Sequence, residues 1–152
     1  LKFWFAFVYP NKSFIESGHP EIVMDKIKKG ITSNHTAFVY EDICREKMWE
    51  LNSSGTWNFY FSRVGRYWDA KTEIDIVALD NDGNNIIFGE CKYWHEPVGI
   101  NILRELEEKS TNLNWKNNVR KNHFILFSIN GFSDELIAEA KSRDDLILCS
   151  KI

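Results

Sequence analysis

Apolar residues change their spacing several times along the chain, and each change marks an element. Phe3, Trp4, Phe5, Phe7, Val8 and Tyr9 form an almost unbroken run that stops at Pro10-Asn11. The run is too continuous for an exposed helix and is closed by a turn signal, so it is expected to pack against a neighbouring piece of protein. Pro20 opens a short helix in which Val23, Met24, Ile27 and Ile31 recur at helical spacing and Lys28-Lys29-Gly30 supplies the stop. A longer helix is predicted from Ser33 to Leu51, because Ala37, Cys44, Met48 and Leu51 share one helical stripe. Glu41 falls on that stripe too. A carboxylate there sits either at the edge of the core or in a place kept for chemistry, since an unpaired buried charge is costly.

Beyond Gly55 the spacing becomes that of strands: Trp57 to Trp68 with a break at Gly65, Glu73 to Leu79, and Ile86 to Trp94. Helical spacing returns from Ile100 to Leu113 through Ile102, Leu103 and Leu106, and His123 to Ile129 reads as a buried strand. Ser133 caps a helix that runs through Lys141 with Asp134 and Glu135 in its first turn, and Leu146 to Ile152 forms a last strand. The order α-β-β-β-α-β-α-β predicts an α/β fold, a mixed sheet flanked by helices on both sides. Residues 1–32 are expected to be an N-terminal helical arm, the end of a preceding domain, and residues 33–152 the α/β domain itself.

Composition narrows this picture. With 152 residues, 43% of them apolar and 14% aromatic, the chain has enough material for one ordinary core and is not disordered. Lys and Arg number 19 against 22 Asp and Glu, for a net charge of −3, so no global basic field draws it to nucleic acid and any such contact must be local. Cys44, Cys91 and Cys149 are scattered, with no C-x-x-C pair, which argues against a disulfide framework and points to a reducing, cytoplasmic setting. No apolar stretch approaches the ~20 residues of a membrane span, so no membrane partner is expected. A G-x-x-x-x-G-K phosphate loop is missing. The chain starts at Leu1 and enters the aromatic run at once, which suggests a piece of something longer.

The chemistry concentrates around Asp80-Asn81-Asp82-Gly83-Asn84-Asn85, between the second and third strands. Asp-Gly as a two-residue loop is a strong hairpin signal, and it fixes register: Asn81 opposes Asn84 and, counting back, Asp75 opposes Glu90 and Glu73 opposes Lys92. Alternation then puts those four side chains on one face, shared with Val77, Leu79 and Phe88. Carboxylates directly across an antiparallel pair have Cβ atoms about 4.5–5.5 Å apart and repel unless something neutralises them. A divalent cation, Mg²⁺ or Mn²⁺, does so with one or two carboxylates plus water and a substrate phosphate. Lys92 is placed to orient or deprotonate a water, or to stabilise charge on a phosphoryl oxygen. The plainer reading is an exposed, salt-bridged face in which Glu73 and Lys92 partner the acids. The apolar neighbours on that face weigh against it.

A helix carrying Glu41, a strand carrying Asp75, a hairpin, then Glu90-Cys91-Lys92, helix and strand resembles the core of PD-(D/E)XK nucleases, a restriction-endonuclease-like fold. Leu1 to Asn11, Tyr40-Glu41-Asp42-Ile43-Cys44-Arg45-Glu46, Arg63-Val64-Gly65-Arg66-Tyr67-Trp68-Asp69, Glu73 to Leu79 and Phe88-Gly89-Glu90-Cys91-Lys92 further resemble the C-terminal domain of archaeal-type ATPases. The resemblance implies a Mg²⁺-dependent nuclease (a hydrolase of DNA phosphodiester bonds) in which Asp75 and Glu90 bind the metal, Glu41 completes the metal site and Lys92 assists the attacking water. It also implies that an N-terminal P-loop ATPase region of the same full-length protein is a partner and that ATP binding is not expected of this stretch. Ile74, not Pro, precedes Asp75. Membership implies a nuclease-like fold without establishing activity.

Other residues divide between two roles. Lys109 shares the Ile102, Leu106 and Leu113 stripe, where the PD-(D/E)XK superfamily often keeps a polar residue aimed at the active-site sheet, and its stem is equally able to snorkel past the core. Lys116, Arg120 and Lys121, beside Trp115, either follow a nucleic-acid backbone or form a solvated loop. Arg63 and Arg66, which flank Gly65, either contact a phosphate or pair with Asp69 or Glu73, and the pairing is the expected role. His19, His35, His95 and His123 lack partners at metal-ligand spacing; His95 reads as a strand-end residue before an auxiliary base. Cys91 points to the opposite side from Glu90, and Trp68 and Trp94 are assigned to packing. Two rival readings stand beside the nuclease: a catalytically silent nucleic-acid-binding or regulatory module of the parent ATPase, and a dimerisation piece whose aromatic arm makes a homodimer.

Overall fold

The computed structural model describes residues 4–30 and 36–150, and the chain divides into two compact units, Leu1–Val39 and Tyr40–Ile152. Ile31, Ser33, His35 and the end of the last predicted strand at Ile152 lie outside the described residues. In the first unit a π-type turn at Trp4–Val8 and a 3-10 turn at Tyr9–Asn11 lead into α1 (Lys12–Glu16) and α2 (Pro20–Gly30). Gly18, at φ +82°, makes the reversal between α1 and α2, a conformation that costs a residue without Cβ little. Trp4, Phe5 and Tyr9 keep more than half of their surface exposed.

In the second unit, α3 (Thr36–Ser53), whose first turn belongs to the N-terminal unit, is followed by β1 (Arg63–Trp68), β2 (Glu73–Leu79), β3 (Asn85–Lys92), α4 (Ile100–Asn112), β4 (Lys121–Ser128), α5 (Asp134–Lys141) and β5 (Leu146–Cys149). The strands form one sheet in the order β1-β2-β3-β4-β5, antiparallel through β3 and parallel from β3 to β5. The fold is thus α/β with a mixed five-stranded sheet, and helices cover both faces. On one face Ile74, Ile86 and Phe88 pack with Leu103 and Leu106 of α4 and Leu136 of α5; on the other, Ile76, Ala78, Ile87 and Cys91 pack with Cys44 and Met48 of α3. The Ser133 cap is formed, its hydroxyl accepting from the Leu136 N–H at 3.3 Å. Among the described residues no helix is long and apolar enough to cross a membrane.

Three local expectations are corrected. The first strand does not begin at Trp57 and is not broken at Gly65: residues 57–62 are irregular, and β1 runs straight through Gly65. Trp57 and Phe61 are buried in the α3-side core, and the Asn52 side chain takes the place of a sheet neighbour by bonding both Phe61 N–H (3.1 Å) and Phe61 C=O (3.0 Å). The hairpin loop is also wider than two residues. A tight type I′ loop needs positive φ at both centres, and neither Asp82 nor Gly83 has it. Instead Asp80 N–H donates to Asn85 C=O at 3.1 Å, and the Asp80 carboxylate accepts from Gly83 N–H (2.8 Å) and Asn85 Nδ2 (2.9 Å). The register survives from Ile76 to Leu79, where Ile76 pairs with Gly89, Val77 with Phe88, Ala78 with Ile87 and Leu79 with Ile86, and the ladder ends short of the expected Asp75–Glu90 pair. Finally, Trp68 and Trp94 are exposed, at 70% and 44%, and do not pack in a core.

Gly89 sits where three strands are closest. A Cβ built there would lie 2.9 Å from Ile76 Cβ and 3.0 Å from Ile125 Cγ2, both β-branched atoms fixed to neighbouring strands. Gly89→Ala is therefore expected to destabilise the protein by about 2 kcal/mol through overpacking, read as a lower urea midpoint with unchanged slope.

Candidate active site

β2 is irregular at the position that carries its acid. Gly65 pairs with Val77 and Tyr67 with Ile74, so Asp75 and Ile76 together oppose the single residue Arg66. This is a β-bulge, a device that re-aims side chains and recurs next to functional sites. It also changes the predicted face: Ile74 joins the α4-side core and Ile76 the α3-side core, so simple alternation fails between them. Glu73 consequently does not face Lys92. It pairs with Trp68 in the ladder and its carboxylate meets the Arg66 guanidinium.

Asp75 lies at this bulge, 9% exposed, with Glu90 at 6% and Glu41 at 8%. Its Oδ2 accepts from the Cys91 N–H at 3.0 Å, which anchors the carboxylate to β3 beside Glu90. Burial pushes the Asp75 carboxyl above its ordinary value, and the Glu90 charge pushes it further; the Cys91 N–H, Lys92 and Lys109 oppose this. Glu41 comes from α3. Burial raises its carboxyl first and the Asp75 charge next, against the pull of Arg66 and Arg45. The acids of α3 and of the hairpin thus feel one another through Asp75.

Two cations serve Glu90. Lys92 Nζ donates to Glu90 Oε1 at 2.8 Å and stands 5.3 Å from the Trp94 ring centroid. Lys109 Nζ reaches Oε1 at 3.3 Å and Oε2 at 3.4 Å, so of the two roles considered for Lys109 the geometry gives it the one that faces the sheet. The other basic candidates are placed differently. Lys116 donates to Gly83 C=O at 2.5 Å, holding the hairpin loop. Arg120 points its guanidinium inward to Ser110 C=O (2.7 Å), Leu113 C=O (2.6 Å) and Asn117 Oδ1 (3.0 Å), capping the end of α4. Its charge is used inside the fold. Lys121 is exposed at the start of β4, and His95 is exposed in the segment after β3.

Two arginines complete the surroundings: Arg66, whose expected pairing with Glu73 is made, and Arg45, which was given no role from sequence. Arg45 Nη1 donates to the Asp75 C=O at 3.3 Å and lies 3.8 Å from Glu41 Oε2; Arg66 lies 3.9 Å from the same oxygen. Arg45 is one helical turn after Glu41, a spacing that would have flagged the pair. The opposition of Arg66 to Asp75 depends on the bulge, which nothing local announces.

Glu41 Oε2 is buried and accepts no hydrogen bond. That oxygen has the Arg45 and Arg66 guanidiniums at 3.8 and 3.9 Å but no hydrogen-bond donor, which leaves a lone pair that a cation bound from outside the chain could use. Among the described residues no three His, Cys, Asp or Glu are arranged to hold a metal ion. A Mg²⁺ site needs only one or two carboxylates with water, a donor set that Asp75 with Glu90, or Asp75 with Glu41, can supply.

The chain is 33% identical over 113 residues to an uncharacterized protein of Methanocaldococcus jannaschii, an alignment covering 72% of this chain and 25% of that protein. The chain therefore spans about a quarter of the length of this relative. No solved structure matches it significantly. Residues 4–123 match the family DUF234, described as archaeal and bacterial proteins of unknown function; with that match over most of its length, the chain belongs to the DUF234 family.

Proposed function

We propose that this protein is the C-terminal, PD-(D/E)XK-type nuclease domain of an archaeal-type ATPase, hydrolysing phosphodiester bonds in DNA with Mg²⁺ or Mn²⁺. The observation that carries the reading is the gathering of Asp75, Glu90 and Lys92 at the bulged end of the β2–β3 hairpin, with the donorless Glu41 oxygen beside them. Asp75 with Glu90, or Asp75 with Glu41, would hold the cation, which when bound supplies Lewis acidity toward water and the phosphoryl group. Lys92, fixed by Glu90 and the Trp94 ring, keeps an ammonium where a water or phosphoryl oxygen would lie. Lys109 holds Glu90 from α4 and adds positive charge for an anionic substrate. In hydrolysis the water oxygen bonds to phosphorus, one P–O ester bond breaks, and the leaving oxygen takes up a proton. The domain would act within a longer protein carrying a P-loop ATPase region.

Cleavage of linear and circular DNA with Mg²⁺ or Mn²⁺ tests the reading. Asp75→Ala and Lys92→Ala proteins should each lose about a hundredfold or more. Undiminished cleavage in both overturns it. The engagement of Glu90 by two lysines favours a second reading, a catalytically silent nucleic-acid-binding or regulatory module. Calorimetry separates the two, since a silent module shows no saturable Mn²⁺ binding that Glu90→Ala removes.

A further inference from the structure

A groove of about 500 Å³ opens on the α4 face of the sheet, floored by Val77 and Leu79. Arg63 and Tyr67 enter it from β1, and Asn114 and Trp115 from the segment after α4. Its volume is in the range of small-ligand sites. None of its lining residues is acidic, in a chain of net charge −3. Among the described residues the Arg63 side chain makes no hydrogen bond or ion pair, whereas Arg45, Arg66, Arg104, Arg120 and Arg143 all have carboxylate or carbonyl partners. The pairing of Arg63 with Asp69 or Glu73 expected from sequence is not made; Glu73 goes to Arg66 and Asp69 to Tyr67.

The wall carrying Trp115 is held rigid. Lys116 adopts φ +44°, a strained value for a residue with a side chain, and from there donates to Gly83 C=O while its Nζ stands 5.0 Å from the Trp115 ring centroid. Arg120 bonds the carbonyls of Leu113 and Trp115 at 2.6 and 3.3 Å. Tyr67 is oriented from the other side by its hydroxyl bond to Asp69 Oδ2 at 2.7 Å. One helix serves both the groove and the acids. Asn112, which lines it, follows Lys109 by one turn of α4, and Lys109 holds Glu90.

We propose that this groove binds one unpaired nucleotide of a nucleic-acid strand whose backbone continues to the Asp75–Glu90 site. The base lies against Trp115 and Tyr67, the Asn114 amide meets its edge, and the Arg63 guanidinium takes a phosphate. Two aromatic rings suit a planar base, and an arginine without an acid partner suits the attached phosphate. A duplex keeps its bases stacked inward and offers none to such a groove. The proposal rests on the nuclease reading for its purpose, and its binding chemistry stands without it.

The test is fluorescence anisotropy of a labelled oligothymidylate of about twelve nucleotides with the full chain in EDTA, beside a blunt duplex and thymidine monophosphate as competitors. Trp115→Ala and Arg63→Glu should each raise Kd about tenfold, Trp115→Phe should keep most of the affinity, and the duplex should bind about tenfold more weakly. Arg63 is exposed, so its variant reads binding even if Trp115→Ala does not fold. Arg63→Glu binding as tightly as wild type, equal affinity for duplex and single strand, or equal competition by the mononucleotide overturns the proposal. Strand binding that depends on Arg63 in a protein that never cleaves DNA removes the nuclease reading and keeps the groove. Cleavage that depends on Asp75, with binding indifferent to Arg63 and Trp115, does the reverse.

Discussion

An Asp75→Asn protein should unfold at a higher temperature than wild type at pH 7 and should lose metal-dependent DNA cleavage by about a hundredfold or more. Asp75 is buried, and burial together with the Glu90 charge disfavours its ionised form, so a neutral group of the same shape suits the position better. Asparagine is close to isosteric. Its carbonyl oxygen can still accept from the Cys91 N–H that now bonds Asp75 Oδ2, and its amide can donate toward Glu90. The substitution thus removes repulsion and keeps the anchor. A site in which function is bought with stability is the physical content of the candidate, and calorimetric scans beside a cleavage assay check it. Destabilisation of the same size as at an ordinary buried hydrogen bond would mean that Asp75 is structural.

Divalent cations should reverse that order. In metal-free protein the raised carboxyls of Asp75 and Glu41 mean that the folded state holds protons the unfolded state has already released. Their contribution is fully present below the unfolded carboxylate pKa of about 4 and is lost as pH rises through the higher folded values. The stability difference between Asp75→Asn and wild type should therefore be large at neutral pH and shrink on acidification. Comparing the two proteins cancels the opposite trend of Glu107 and Asp145, whose carboxyls the Arg104 and Arg143 guanidiniums hold low. At neutral pH, Mg²⁺ at a hundredfold excess over its dissociation constant should add about 2.7 kcal/mol to wild type, a rise of about 5–10 °C in Tm. Asp75→Asn should show little of that gain. Acid should abolish it, since protonated carboxylates do not ligate.

Much of the fold was legible because its elements are locally consistent. The limits of β2 were read at Glu73 and Leu79, and the Ser133 cap and the apolar stripe of α4 were visible as spacing alone. The β2–β3 register was also legible, although for an incomplete reason: the hydrophobic pattern and the Asp80–Asn85 closure hold it, not a tight Asp-Gly turn. The site was legible in its residues and not in its faces. Asp75 is anchored on the Cys91 N–H and Glu90 bonds Lys92, but the bulge that brings Asp75 opposite Arg66 and turns Glu73 away arises from pairing with β1, which lies outside any local window. The aromatic stretch at Trp57–Phe61 imitates a strand because buried rings favour either setting, and the Asn52 amide, folded back from α3, satisfies the backbone of Phe61.

The central claim is that the acids at the bulged hairpin end hold a hard divalent cation, and anomalous diffraction from crystals grown with Mn²⁺ tests it most directly. An anomalous peak is expected within carboxylate-ligand distance of Asp75 and Glu90, absent from crystals of Asp75→Asn. Saturating Mn²⁺ with no peak at that position, and with Lys92 and Lys109 still closed on Glu90, would contradict it.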